Sequence, residues 1–95
     1  MKIVIQGRGI NVRDSLKEYI EQELGRLDRL YPRIVDADVV LEGKLHQKEV
    51  LIKVNVPDQL LMATETADKF EIATEGAVDK LVEQVKKYKE KLRGH

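Results

Sequence analysis

The sequence predicts an α+β two-layer sandwich, a four-stranded sheet with two helices on one face. Three observations predict it. Two long stretches repeat apolar residues every three or four positions, as amphipathic helices do. Four short stretches are β-branched or alternate apolar with polar residues, as strands do. The stretches follow one another as β-α-β-β-β-α, and two striped helices over one half-buried sheet close a two-layer core. The 95 residues are expected to form one domain, 1–95.

Each element has its own signal. Lys2-Ile3-Val4-Ile5-Gln6 is β-branched and bounded by Gly7. Its three consecutive apolar residues predict a central strand, buried on both faces. Gly7-Arg8-Gly9 reads as a turn, and nothing after it completes a phosphate loop. A helix is expected from Asn11 to about Tyr31, with Asn11 as N-cap and Asp14 completing a capping-box-like pair. Leu16, Ile20, Leu24, Leu27 and Tyr31 draw its apolar stripe, Tyr19 and Leu30 widen it, and Pro32 stops it. Gly25 inside this helix costs about 1 kcal/mol against Ala, so it either admits a close neighbour or is tolerated.

Asp36 to Glu42 and Glu49 to Val56 alternate, with Ala37, Val39 and Leu41, then Val50, Ile52, Val54 and Val56, pointing inward. Gly43 to Lys48 joins them as a hairpin loop, and Pro57-Asp58 turns the chain into a third meander strand, Gln59 to Thr66. Leu51 falls on the outer face. The last helix runs from about Asp68 to Leu92, capped by Asp68 or Thr66. Its stripe is Phe70, Ala73, Ala77, Leu81, Val85, Tyr88 and Leu92, flanked by Val78 and Val82. Gly76 within it suggests a tight contact with another element.

Composition excludes several classes. Apolar runs reach at most four residues, too short to span a bilayer. No charged-then-apolar leader opens the chain, so a cytoplasmic location is expected. With no cysteine there is neither a disulfide framework nor thiolate chemistry. Catalysis finds little support. Ser15, the sole serine, sits at a helix start; His46 lies in a hairpin loop; His95 is terminal and expected to fray. Asp36 and Asp38 share a strand face, but no further ligands join them for Ca²⁺ or Mg²⁺. No cofactor, metal or enzymatic activity is expected.

Seventeen Lys+Arg balance seventeen Asp+Glu, for a net charge of zero, which taken alone speaks against nucleic acid. The balance hides a segregation. Residues 1–33 hold seven basic and five acidic groups, residues 34–79 four and ten, residues 80–95 six and two. Lys80, Lys87 and Lys91 share one face of the last helix, with Lys86, Lys89 and Arg93 on its flanks. Arg26, Arg29 and Arg33 recur at the end of the first. If the helices lie side by side, these cations merge into one patch of about nine, suited to a nucleic-acid backbone. The meander's acids are expected to face away. Phe70, Tyr19, Tyr31 and Tyr88 fall on or beside apolar stripes and are assigned to the core. That leaves phosphate and shape recognition of folded RNA rather than base stacking.

The opening strand ending in Gly7, the Leu16-Lys17-Glu18-Tyr19-Ile20 helix start and the Leu27-Asp28-Arg29-Leu30-Tyr31 helix end resemble the ribosome hibernation promoting factor family, which includes ribosome-associated inhibitor A. The most specific stretch is Ala77 to Leu92, with its Asp79-Lys80-Leu81, Gln84 and lysine-rich tail. The resemblance runs from residue 1 to 95 and matches the family's short form. It implies a double-stranded-RNA-binding-like fold and a partner, the small ribosomal subunit, with its rRNA and neighbouring ribosomal proteins. There the family occupies the channel over the mRNA path and tRNA sites, stabilising idle ribosomes in stationary phase or stress. By resemblance the rRNA-facing positions are Arg26, Arg33, Lys80, Lys87, Lys89 and Lys91; the shared helix face adds Arg29, Lys86 and Arg93. Glu83 stands where many members carry a basic residue, and Phe70-Glu71 where many carry Met-Tyr. No membrane partner is implied, and the free protein is expected to be a monomer. The competing expectation is a generic RNA- or protein-interaction module using the outer sheet face around Leu51.

Overall fold

The computed structural model describes residues 1–94, so the reading of His95 lies outside it. Its elements are β1 (Lys2–Arg8), α1 (Asp14–Leu30), β2 (Asp36–Gly43), β3 (Lys48–Val56), β4 (Gln59–Ala67) and α2 (Phe70–Arg93). The strands form one sheet in the order β1-β2-β3-β4. α1 carries the chain back between β1 and β2, so these two pair in parallel, which a tight turn could not achieve. The two later pairings are antiparallel. The β2–β3 loop is closed by the Lys44 N–H donating to the Gln47 carbonyl at 2.7 Å.

β1 is an edge strand, not the central one expected. It pairs only with β2, and Val4, the middle of its apolar run, is 45% exposed. A short apolar run is ambiguous because a half-buried strand can carry an extra apolar residue on its wet face. The turn also falls later than expected. Gly7 and Arg8 belong to the strand, and Gly9 bends the chain with a φ of +68°, a conformation that suits glycine.

The inner sheet face is the alternating set of Ala37, Val39, Leu41, Val50, Ile52, Val54 and Val56, all buried. Against it lie Ile20, Leu24 and Leu27 of α1 and Ala73, Ala77, Val78, Leu81, Val85 and Tyr88 of α2. Each large aliphatic side chain so buried contributes about 1.5–3 kcal/mol, which dominates any cap or surface pair. The helix ends show that ranking. α1 begins at Asp14 with Arg13 at the N-cap, and α2 begins at Phe70 with Lys69 there; neither cap side chain bonds the helix. Asn11, Thr66 and Asp68 therefore do not cap, because packing of the apolar stripes positions the first turns. Leu92, assigned to the stripe, is 51% exposed, since α2 has there run past the sheet it covers.

The two helical glycines differ. A Cβ on Gly25 would meet only Arg29 Nη1 at 3.5 Å, so this glycine is merely tolerated. A Cβ on Gly76 would lie 2.8 Å from Glu65 Cγ, so Gly76 is where α2 crosses β4 closely.

Candidate nucleic-acid interface

The direction of the helices builds the site. β1, β2 and β4 run one way, and each helix returns the other way, so α1 and α2 lie parallel. Cross-helix contacts step together along both: Arg26 meets Asp79, the Leu30 carbonyl meets Lys89, and Tyr31 meets Tyr88. Both C-termini thus reach the same end of the molecule. There the partial negative charges of two macrodipoles favour cations, and both basic clusters arrive. The expected side-by-side placement holds.

The nine cations are not equivalent. Arg26 donates to Asp79 at 2.9 Å and to Glu23 at 3.1 Å, and these hydrogen bonds, Asp79 first, raise its pKa further. Lys80 donates to the Thr64 carbonyl at 3.2 Å and pairs with Glu65 at 3.3 Å. Lys86 pairs with Glu83 one turn back, at 3.6 Å. Lys89 donates to the Leu30 carbonyl at 2.9 Å and closes the last turn of α1. Among the described residues, no ion pair engages Arg29, Arg33, Lys87, Lys91 or Arg93, and all five are exposed. Among the described residues the patch is a crown of five available cations at the helix ends, backed by three that fasten the helices to each other and to β4, while Lys86 is held within α2 by Glu83.

The acidic residues do not all face away. Glu71, Glu75 and Asp79 stand on the first half of α2, beside Glu23 and Tyr19 of α1. Desolvation, then the nearby Glu23, Glu75 and Glu71, raises the pKa of the Tyr19 phenol. Glu65 points inward from β4 to reach Lys80 under Gly76. The helix layer is therefore polar along its length, acidic where the helices begin and basic where they end. Summing charge over residues 34–79 hid this, because that span crosses from sheet to helix.

Two further features escaped the sequence. Gln84 Nε2 donates to the Met62 carbonyl at 2.9 Å, next to the Lys80 bond to Thr64, so α2 covers two carbonyls on the free edge of β4. A polar residue four positions from a lysine on one helix face was the available signal, but nothing in one dimension says what it reaches. A groove between β4 and the end of α2 is lined by Gln59, Leu61, Gln84, Lys87, Tyr88 and Lys91. Of the aromatics, Tyr88 is buried, Phe70 and Tyr31 are half-buried against the core, and Tyr19 is half-buried. Asp36 accepts from Asn55 Nδ2 at 2.6 Å, and among the described residues no acidic or histidine cluster could hold a metal. No described helix is long and apolar enough to cross a membrane.

The family model for the Sigma 54 modulation protein / S30EA ribosomal protein matches residues 3–93. The chain belongs to this family. Relatives of this S30EA group extend the match. The ribosome hibernation promoting factor of Escherichia coli K12 is 29% identical, with both chains covered in full. The ribosome hibernation promotion factor of Bacillus subtilis is 33% identical over 97% of this chain and 50% of its own length. That of Deinococcus radiodurans is 32% identical over 47% of its length, so the chain spans about half of these two relatives. Among solved structures, the Thermus thermophilus Protein Y N-terminal domain has a TM-score of 0.85 at 33% identity, covering 93% of this chain and 99% of that one. A ribosomal subunit interface protein from Coxiella burnetii has a TM-score of 0.88 at 25% identity, covering 94% and 98%. The βαβββα architecture of this S30EA member is thus shared with solved relatives, and the resemblance carried by Ala77 to Leu92 is borne out.

Proposed function

We propose that this chain is a ribosome hibernation factor that acts in the cytoplasm as a monomeric, single-domain plug. Its helix-end crown binds rRNA of the small ribosomal subunit in the mRNA and tRNA channel and blocks translation while the ribosome is idle. One observation carries this reading. Two parallel helices bring five cations, none engaged by an ion pair among the described residues, to one end of a rigid layer, in a chain whose relatives bear hibernation-factor names. Rigid helices position the charges against phosphates before binding, so little side-chain and backbone order has to be acquired on docking. Inhibition then needs occupancy alone, with no bond made or broken, no cofactor and no metal.

The charge-reversed pair Lys87→Glu and Lys91→Glu should abolish co-sedimentation with small subunits. Lys80→Glu, which replaces a cation already tied to β4, should weaken it less. Normal sedimentation of the Lys87/Lys91 pair variant would overturn the reading.

A second reading has an observation of its own. Val40 and Leu51 sit opposite each other on the outer sheet face, with Val4 and Met62 at 45% and 46% exposure nearby. A protein partner could dock there. Translation by a purified system separates the two. Inhibition relieved by excess small subunits supports the plug; unimpaired translation with a partner held by the sheet supports the module.

A further inference from the structure

We infer that the groove between the start of β4 and the last turns of α2 receives one unstacked ribonucleotide, with its base in the groove and its flanking phosphates on Lys87 and Lys91. The inference rests on the RNA-binding reading of the helix ends and deepens it, because it makes one nucleotide of the bound RNA locally single-stranded.

The groove is open to solvent and offers about 250 Å³, below the roughly 300–1,000 Å³ typical of small-molecule sites. It suits one flat ring system better than a whole cofactor. Its wall is Leu61 and Tyr88, only 8% and 3% exposed, so it is apolar and already packed. Tyr88 is held edge-on against Tyr31, with centroids 5.4 Å apart and planes at 79°. A base would slide along this wall rather than stack on an open ring, in keeping with the buried aromatics.

Two carboxamides share the groove. Gln84 spends one N–H on the Met62 carbonyl, which holds the amide in place and leaves its Oε1 an acceptor. Gln59 is exposed at the first position of β4. A carboxamide offers a donor and an acceptor side by side, as the edge of a base does. Lys87 and Lys91 stand one helical turn apart on the same rim, and no described ion pair engages either. A bare phosphate or a carboxylate side chain would satisfy the lysines and leave the amides and the apolar wall unused. A duplex rail of phosphates would bridge the groove without entering it. An unstacked base with its phosphates uses every part, and single-stranded RNA is commonly read on such edges.

The test compares a single-stranded tetraribonucleotide with an abasic oligomer carrying the same phosphates, each titrated into the full ¹⁵N-labelled chain. The base-bearing oligomer should bind at least about tenfold more tightly, the size expected of one or two net hydrogen bonds. It alone should shift the side-chain amide signals of Gln59 and Gln84. Gln59→Ala, an exposed change that leaves the fold intact, should narrow the gap between the two oligomers. Equal affinities, or shifts confined to the lysine-bearing turns, would overturn the base pocket and leave the phosphate crown standing. No binding of either oligomer would also overturn the pocket, whereas failure of the crown itself is read separately from subunit sedimentation of the Lys87/Lys91 pair variant.

Discussion

At the scale of single residues, two glycines of the same type and setting have opposite meanings. Gly25 meets no close neighbour, so Gly25→Ala should stabilise the protein by about 0.5–1 kcal/mol, the helix-propensity difference. Gly76→Ala would press its methyl into Glu65 and displace the Lys80 pair, so the same gain should not appear. Denaturant midpoints of the two variants check this; equal gains would remove the argument for a close α2–β4 crossing. Tyr88 makes a second residue-scale prediction. Burial first, then the neighbouring Asp58 and Tyr31, raises the phenol above its ordinary value of 10.0. The folded state thus holds the proton more tightly than the unfolded chain does. Stability from this group is complete below pH 10 and falls as pH rises above it. Tyr88→Phe should flatten the alkaline limb of a stability–pH profile, and an unchanged limb would count against the buried phenol as its cause. Neither glycine could be sorted from sequence, because helix position was legible and the neighbour was not.

At the scale of elements, α2 does more than cover the sheet. β4 is an edge strand, and an uncovered edge is a template for pairing with another chain. Lys80 and Gln84 occupy the Thr64 and Met62 carbonyls that such a pairing would need. Lys80→Ala with Gln84→Ala should cost at most about 1 kcal/mol per exposed bond in stability. Its larger effect should be concentration-dependent self-association stronger than that of the parent chain, seen by sedimentation velocity. A monomeric double variant would show that the caps are dispensable. The elements themselves were largely legible. Clean alternation over Glu49 to Val56 reported a face that is buried in fact. The steps from Leu16 to Leu27 likewise marked a real core stripe. The run Ile3-Val4-Ile5 misled, because an edge strand and a central strand can share three apolar residues, and only pairing partners tell them apart.

At the scale of the whole molecule, the charge pattern sets how binding responds to salt. Nine phosphate contacts would give a slope of log affinity against log salt of roughly −6 to −8, whereas five give about −3.5 to −4.5. The four engaged cations predict the shallower slope. Measured with small subunits over a range of monovalent salt, the steep value would mean that the ion pairs of Arg26, Lys80 and Lys86 break on docking. A slope near zero would remove the phosphate mechanism altogether. The acidic first half of the helix layer adds orientation, since a phosphate-rich surface attracts one end of the molecule and repels the other.

The sequence by itself determined the order of elements, the inner faces of strands and helices, and the family, because periodicity and local motifs are properties of the chain. It also located the cations. What it could not determine was which of them are available, since an ion pair such as Arg26 with Asp79 joins positions 53 residues apart. Only the tertiary structure decided that. The parallel helices brought one set of charges against carboxylates and carbonyls and left the other at the open end, and no local pattern encodes which charge will find a partner.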